Sequence, residues 1–194
     1  MTDDNKISAG KKDPISINRP GILTWEATKF IRDNLNKNLF DLYYHHGEAS
    51  AFRGQIVSSI EEEYKRGDRL AQLDIAIVKK DTDDAVVLIE IEDTTDKPKT
   101  LISDLFGTLM GNFISLRGNR KLRVGNHTTL IILAKGKNHE DRIIHIREKA
   151  VLAKPHMGTK NSVIGNIVIE PFADGKELNT MVMKKINEAI RWNA

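Results

Sequence analysis

The sequence predicts an α/β domain in which a mixed central β-sheet is flanked by helices. Three observations lead there. Two apolar, β-branched runs, residues 73–78 and 86–92, are joined by a short Asp/Thr-rich connection, the pattern of a β-hairpin. Five segments repeat apolar residues at helical spacing. Late in the chain, short apolar runs alternate with those segments, as in sheets whose strands are linked by helices.

Taken in order, residues 1–20 are polar, with Lys11, Lys12, Pro14 and Pro20, and read as a flexible N-terminal arm. No repeat, low-complexity tract or linker divides residues 21–194, so they read as a single domain. A first helix is expected over 24–36, with Leu23, Ala27, Phe30, Ile31 and Leu35 on one face. Residues 39–47 fit a short strand or an extended connection. A second helix is expected over 48–65, where Phe52, Ile56, Ile60 and Tyr64 form an i, i+4 row and Gly67 supplies a stop. Glu48 lies one step earlier on that row and should point where the row points. The hairpin follows, then a polar loop over 93–99.

A third helix is expected over 100–116. Its stripe is Ile102, Leu105, Phe106, Leu109, Phe113 and Leu116, with Gly107 and Gly111 allowing close packing. Residues 117–123 read as a basic loop and 128–134 as a buried strand. A helix over 141–153 precedes a strand over 163–170, stopped by Pro171. The last helix, 176–192, turns Leu178, Met181, Val182, Ile186, Ala189 and Ile190 inward.

The anomaly lies inside the hairpin. Side chains alternate along a strand, so Glu90 and Glu92 share a face, and Asp74 can meet them from the partner strand. Their expected neighbours on that face, Ala76, Val78, Val86 and Leu88, are all apolar. Ionised carboxylates are almost never buried unless paired or metal-bound. A divalent cation would remove the repulsion among three of them.

Composition narrows the chemistry. The chain has 194 residues and no cysteine, which excludes disulfides, thiolate catalysis and cysteine-ligated zinc. That suits a cytoplasmic protein. The polar start, Met1 to Asn5, does not read as a signal peptide. No apolar run is long enough to span a bilayer, so no membrane partner is expected. A formal charge of +3 is compatible with a polyanionic partner. His45 and His46 are adjacent, and His139 and His145 miss the H-E-x-x-H spacing, so no zinc site is expected. No phosphate loop of the G-x-x-x-x-G-K-[ST] type occurs, and no organic cofactor is expected.

Asp74 on one strand, Glu90-Ile91-Glu92 on the next, and flanking helices together resemble the PD-(D/E)XK nuclease superfamily, over about residues 48–134. The resemblance implies a restriction-endonuclease-like fold and Mg²⁺-dependent hydrolysis of DNA phosphodiesters, with Mn²⁺ able to substitute. Asp74 would be the central metal ligand, Glu90 the second and the Ile91 carbonyl the third, with Glu48 from the preceding helix. The sequence departs from the pattern at Glu92, where the superfamily usually has lysine. A glutamate there can act as general base or bind a second ion. Lys97 or Lys99 could return a positive charge to the site. Arg117, Arg120, Lys121 and Arg123 could contact phosphates. Cutting both strands takes two sites, so a homodimer of restriction, junction or repair type is expected. The missing lysine leaves a second expectation open: a non-catalytic DNA-binding or protein-interaction module on the same fold.

Overall fold

The computed structural model describes residues 21–45, 56–60, 69–93, 98–116, 120–136, 140–153 and 164–192. The N-terminal arm, Glu48, Lys97 and Arg117 lie outside the described residues, as does most of the helix expected over 48–65. The elements in chain order are α1 (Ile22–Asn34), β1 (Phe40–Tyr44), β2 (Ile56–Ser59), β3 (Arg69–Leu73), β4 (Ile75–Lys79) and β5 (Ala85–Glu92). Then come α2 (Pro98–Met110), β6 (Phe113–Leu116), β7 (Lys121–Arg123), β8 (Thr129–Lys135), α3 (Glu140–Ala153), β9 (Asn166–Phe172) and α4 (Gly175–Trp192).

Nine strands form two sheets among the described residues. The first has the order β1-β4-β5-β8-β9. Its β1, β4 and β5 are antiparallel, while β8 and β9 add in parallel. The fold is therefore mixed α/β, with a mixed sheet flanked by helices. Strands β4, β5 and β8 are almost continuously apolar because both faces of this sheet are covered. One face packs Ile75, Ile77, Val87, Ile89 and Ile131 against Ala27 and Ile31 of α1 and Leu178, Val182 and Ile186 of α4. The other packs Ala76, Val78, Leu88, Leu130 and Ile132 against Leu101, Leu105 and Leu109 of α2, Ile143 of α3 and the second sheet.

The second sheet, β3-β2-β6-β7, is antiparallel throughout and corrects two expectations. Ile56–Ser59 is a strand, not part of a helix, and all four residues are buried. A four-residue strand covered on both faces shows no alternation, so its apolar residues were free to match a helical row. Helix α2 likewise ends at Met110 rather than continuing to 116, and Phe113 and Leu116 belong to β6. Gly111 and Asn112 mark the break, a C-terminal signal that the apolar spacing overrode. The buried face of α2 is also rotated from the expected stripe. Leu101, Leu105, Thr108 and Leu109 are buried, whereas Ile102 and Met110 are exposed.

Close approach explains Gly107 within α2 and Gly111 just past its end. A Cβ on Gly107 would strike the backbone of Leu70 on β3, and one on Gly111 would strike Ser58 Oγ on β2. In the space left by Gly111, Ser58 Oγ donates to the Gly107 carbonyl at 3.1 Å.

Two further differences are local. Part of the expected basic loop, Lys121–Arg123, is strand β7. Strand β9 runs through Pro171, which pairs with Ala134, and ends at Phe172. Proline is tolerated there because β9 is an edge strand. Helix α4 then starts on a reciprocal cap. Asp174 Oδ1 accepts the Glu177 N–H at 2.9 Å, and Glu177 Oε2 accepts the Ala173 N–H at 2.8 Å.

Candidate functional site

The expected hairpin is present, and its pairing decides which side chains meet. Ile75 pairs with Ile89 and Ala76 with Leu88, but Val78 pairs with Ala85, leaving Val86 as an extra residue in β5. This bulge turns Val86 to the α1–α4 face, so it does not stand beside the acids as expected. Beyond the bulge, Leu88, Glu90 and Glu92 point to the α2 face.

Asp74 sits where the chain leaves β3 and enters β4, at the corner between the two sheets. One step past the Ile75–Ile89 pair, the register sets it opposite Glu90. The two acids are clasped through the backbone. Glu90 Oε2 accepts the Asp74 N–H at 3.2 Å, and Asp74 Oδ2 accepts the Ile91 N–H at 2.9 Å. The His45 N–H donates to the Asp74 carbonyl at 2.8 Å, tying in the end of β1.

Burial and like charge dominate the electrostatics. Asp74 is 7% exposed. Its carboxyl is pushed up to about 7, first by desolvation and then by the charges of Asp93, Asp104 and Glu92, against the Ile91 hydrogen bond. Glu90 is raised well above the usual carboxylate range by desolvation, then by Asp74, Asp104 and Glu92. Asp104, on α2, is raised to about 6 by desolvation and by Glu92, with Arg69 opposing.

Asp104 was missed in the sequence. Its signal depends on the helical phase: Asp104 lies three residues after Leu101 and four before Thr108, both buried. With that phase, the reasoning used for Glu48, an acid aligned with an expected apolar row, reaches Asp104 as well. Asp93 belongs to the same neighbourhood, and its Oδ2 accepts the Gly21 N–H at 3.1 Å at the start of α1.

The expected basic contacts divide. Arg120 is held inside the fold. It hydrogen-bonds the Tyr43 hydroxyl and the Thr82 carbonyl, pairs with Asp41 at 3.8 Å and Asp83 at 3.4 Å, and lies over the Tyr43 ring. Arg123 pairs with Asp84 at 2.9 Å. Lys121 is half-buried on β7. Lys99 falls within α2, and its side chain is not among those described.

The acids offer hard oxygen donors, the set that suits Mg²⁺, which uses one or two carboxylates and keeps several waters. Asp74 and Glu90 supply two such groups, each anchored by a backbone N–H. Among the described residues, no three His, Asp or Glu side chains converge at full metal-ligand spacing. Their chemistry and burial fit a cation that takes two protein carboxylates. Among the described residues, no helix is long and apolar enough to cross a membrane. Compared with family models, curated proteins and solved structures, the chain matches none of them.

Proposed function

We propose that the chain is a Mg²⁺-dependent endonuclease that hydrolyses DNA phosphodiester bonds on a restriction-endonuclease-like fold. The observation that carries this reading is the Asp74–Glu90 clasp, two desolvated carboxylates fixed against each other at a sheet corner. The element order supports it. Hairpin β4–β5, helix α2 and parallel strand β8 follow the helix–hairpin–helix–strand unit that the resemblance implies. The preceding helix is α1, packed on the opposite face, rather than 48–65.

Asp74 and Glu90 would hold the ion, with the Ile91 carbonyl as the proposed third ligand. When bound, Mg²⁺ lowers the pKa of a coordinated water and neutralises phosphate charge. The Glu92 carboxylate, on the same face, takes the proton of the attacking water. Two copies of the chain would serve the two strands of a duplex. The test is cleavage of supercoiled plasmid in Mg²⁺ or Mn²⁺ by the wild type and by Asp74→Ala. Equal cleavage by both rejects the reading.

One observation favours a second reading, a non-catalytic module on the same fold. With its carboxyl pushed up to about 7, Asp74 is largely protonated below neutral pH, where the site needs no cation. DNA binding without calorimetric Mg²⁺ or Mn²⁺ binding at pH 8 would select it.

A further inference from the structure

The nuclease reading leaves the site short of positive charge, because Glu92 stands where lysine is expected. Arg120 and Arg123 are committed to aspartates of β1 and of the hairpin turn. Arg69 is placed differently. It opens edge strand β3, five residues before Asp74, and its side chain is exposed.

Packing of α2 on β3 fixes its neighbourhood. Ser58 pairs with Ala71 and Ser59 with Arg69, so Leu70 is a bulged residue. The Leu70 carbonyl faces Gly107, which has no Cβ to hold it off. Asp104 lies one helical turn before Gly107, on the same face of α2, and so beside Arg69. Asp104 feels the charges of both Glu92 and Arg69, and its own charge acts on Asp74 and Glu90. The guanidinium is oriented by a neutral group, with Nη1 donating to Gln72 Oε1 at 3.1 Å. Among the described residues it makes no ion pair, and its side chain is exposed.

We propose that Arg69 is the phosphate-recognising residue of this site, engaging a DNA backbone phosphate that flanks the one held at the Asp74–Glu90 pair. The inference rests on the nuclease reading. An exposed arginine held by a neutral amide, one strand-length from the buried carboxylates, suits a polyanion that meets the cation at one phosphate and the arginine at another. A DNA backbone meets both demands, and the planar guanidinium fork matches phosphate geometry better than an ammonium does.

The test compares wild type, Arg69→Ala, Arg69→Lys and Asp74→Ala. Binding of a fluorescent DNA duplex is titrated against salt in Ca²⁺, and plasmid cleavage is timed in Mg²⁺. Arg69→Ala should lose roughly 100-fold in kcat/KM. It should reduce the slope of log affinity against log salt by about 1, the loss of one phosphate contact. Its melting temperature should match wild type, and Arg69→Lys should restore the salt slope and only part of the rate. Arg69→Ala that cleaves and binds like wild type, in an enzyme that Asp74→Ala inactivates, overturns this proposal alone. Undiminished cleavage by Asp74→Ala overturns the nuclease reading, and the proposal with it.

Discussion

Asp74 and Glu90 hold each other in place through the backbone of their two strands. Each acid is anchored on the other strand: Glu90 on the Asp74 N–H, and Asp74 on the Ile91 N–H next to Glu90. The clasp fixes both side chains against the two strands.

Removing either acid should therefore separate chemistry from folding. Asp74→Ala and Glu90→Gln should each lower metal-dependent cleavage by roughly 100-fold or more, the scale of a lost electrostatic stabiliser. Glu90→Gln keeps an oxygen that can accept the Asp74 N–H, so its circular dichroism and melting curve should match wild type. Rates measured in Mg²⁺, with melting curves alongside, check both halves.

The raised acids give stability an unusual pH dependence. Asp74 moves from an unfolded value of 3.8 to about 7 in the fold. Between those values the folded state binds more protons than the unfolded chain, so stability falls as pH rises from about 4 to about 7. The stabilising contribution is fully present below the unfolded pKa and lost above the folded one. For so buried a group, the loss is on the order of a few kcal/mol. Metal-free protein should melt higher at pH 5 than at pH 8, and Asp74→Asn should flatten the difference. Mg²⁺ at pH 8 should recover part of the loss by binding only the folded state. Calorimetric scans in chelator and in Mg²⁺ check this, and a flat wild-type profile would count against the burial argument.

Glycine to alanine in a helix normally stabilises by about 1 kcal/mol. Gly107→Ala should do the reverse, costing roughly 1–3 kcal/mol, because the new methyl meets the rigid backbone at Leu70. Gly111→Ala meets the Ser58 hydroxyl instead. The double variant Gly111→Ala with Ser58→Ala should recover part of its loss. Urea denaturation of the variants gives the comparison.

Arg120 should prove structural. Its contacts join β1, the hairpin turn and the start of β7 through Asp41, Tyr43, Thr82 and Asp83. Arg120→Ala should cost about 1 kcal/mol, since its ion pairs are partly solvated. The salt dependence of DNA binding should not change. A shallower salt slope would return Arg120 to the nucleic-acid contacts.

What the sequence revealed followed from how much signal each segment carried. The hairpin was readable because its runs are long and β-branched, and because three acids interrupt them. Strand β8 and helices α1, α3 and α4 fell within a few residues of their expected bounds for the same reason. The second sheet was not legible. Its strands have three to five residues, too few to display a period of two. Ile56 and Phe113 each fitted a helical stripe that tertiary pairing overrode. The corner at Asp74 was hidden because Leu73 to Val78 reads as one apolar run, though Leu73 ends one sheet and Ile75 begins another. Of the site, Asp74, Glu90 and Glu92 were visible as acids in strands. Asp104 needed the correct helical phase of α2, which the expected stripe missed by one position.

The bulge at Val86 gives β5 one residue of slack before its acids. Val86 has no partner on β4, so deleting it would leave Ala85 opposite Val78, Val87 opposite Ile77 and Glu90 opposite Asp74. A deletion between Val87 and Glu90 that kept the bulge would do the opposite, turning Glu90 and Glu92 into the packing against α1 and α4. The same single-codon loss is therefore silent at one position of β5 and turns the site inside out two positions later.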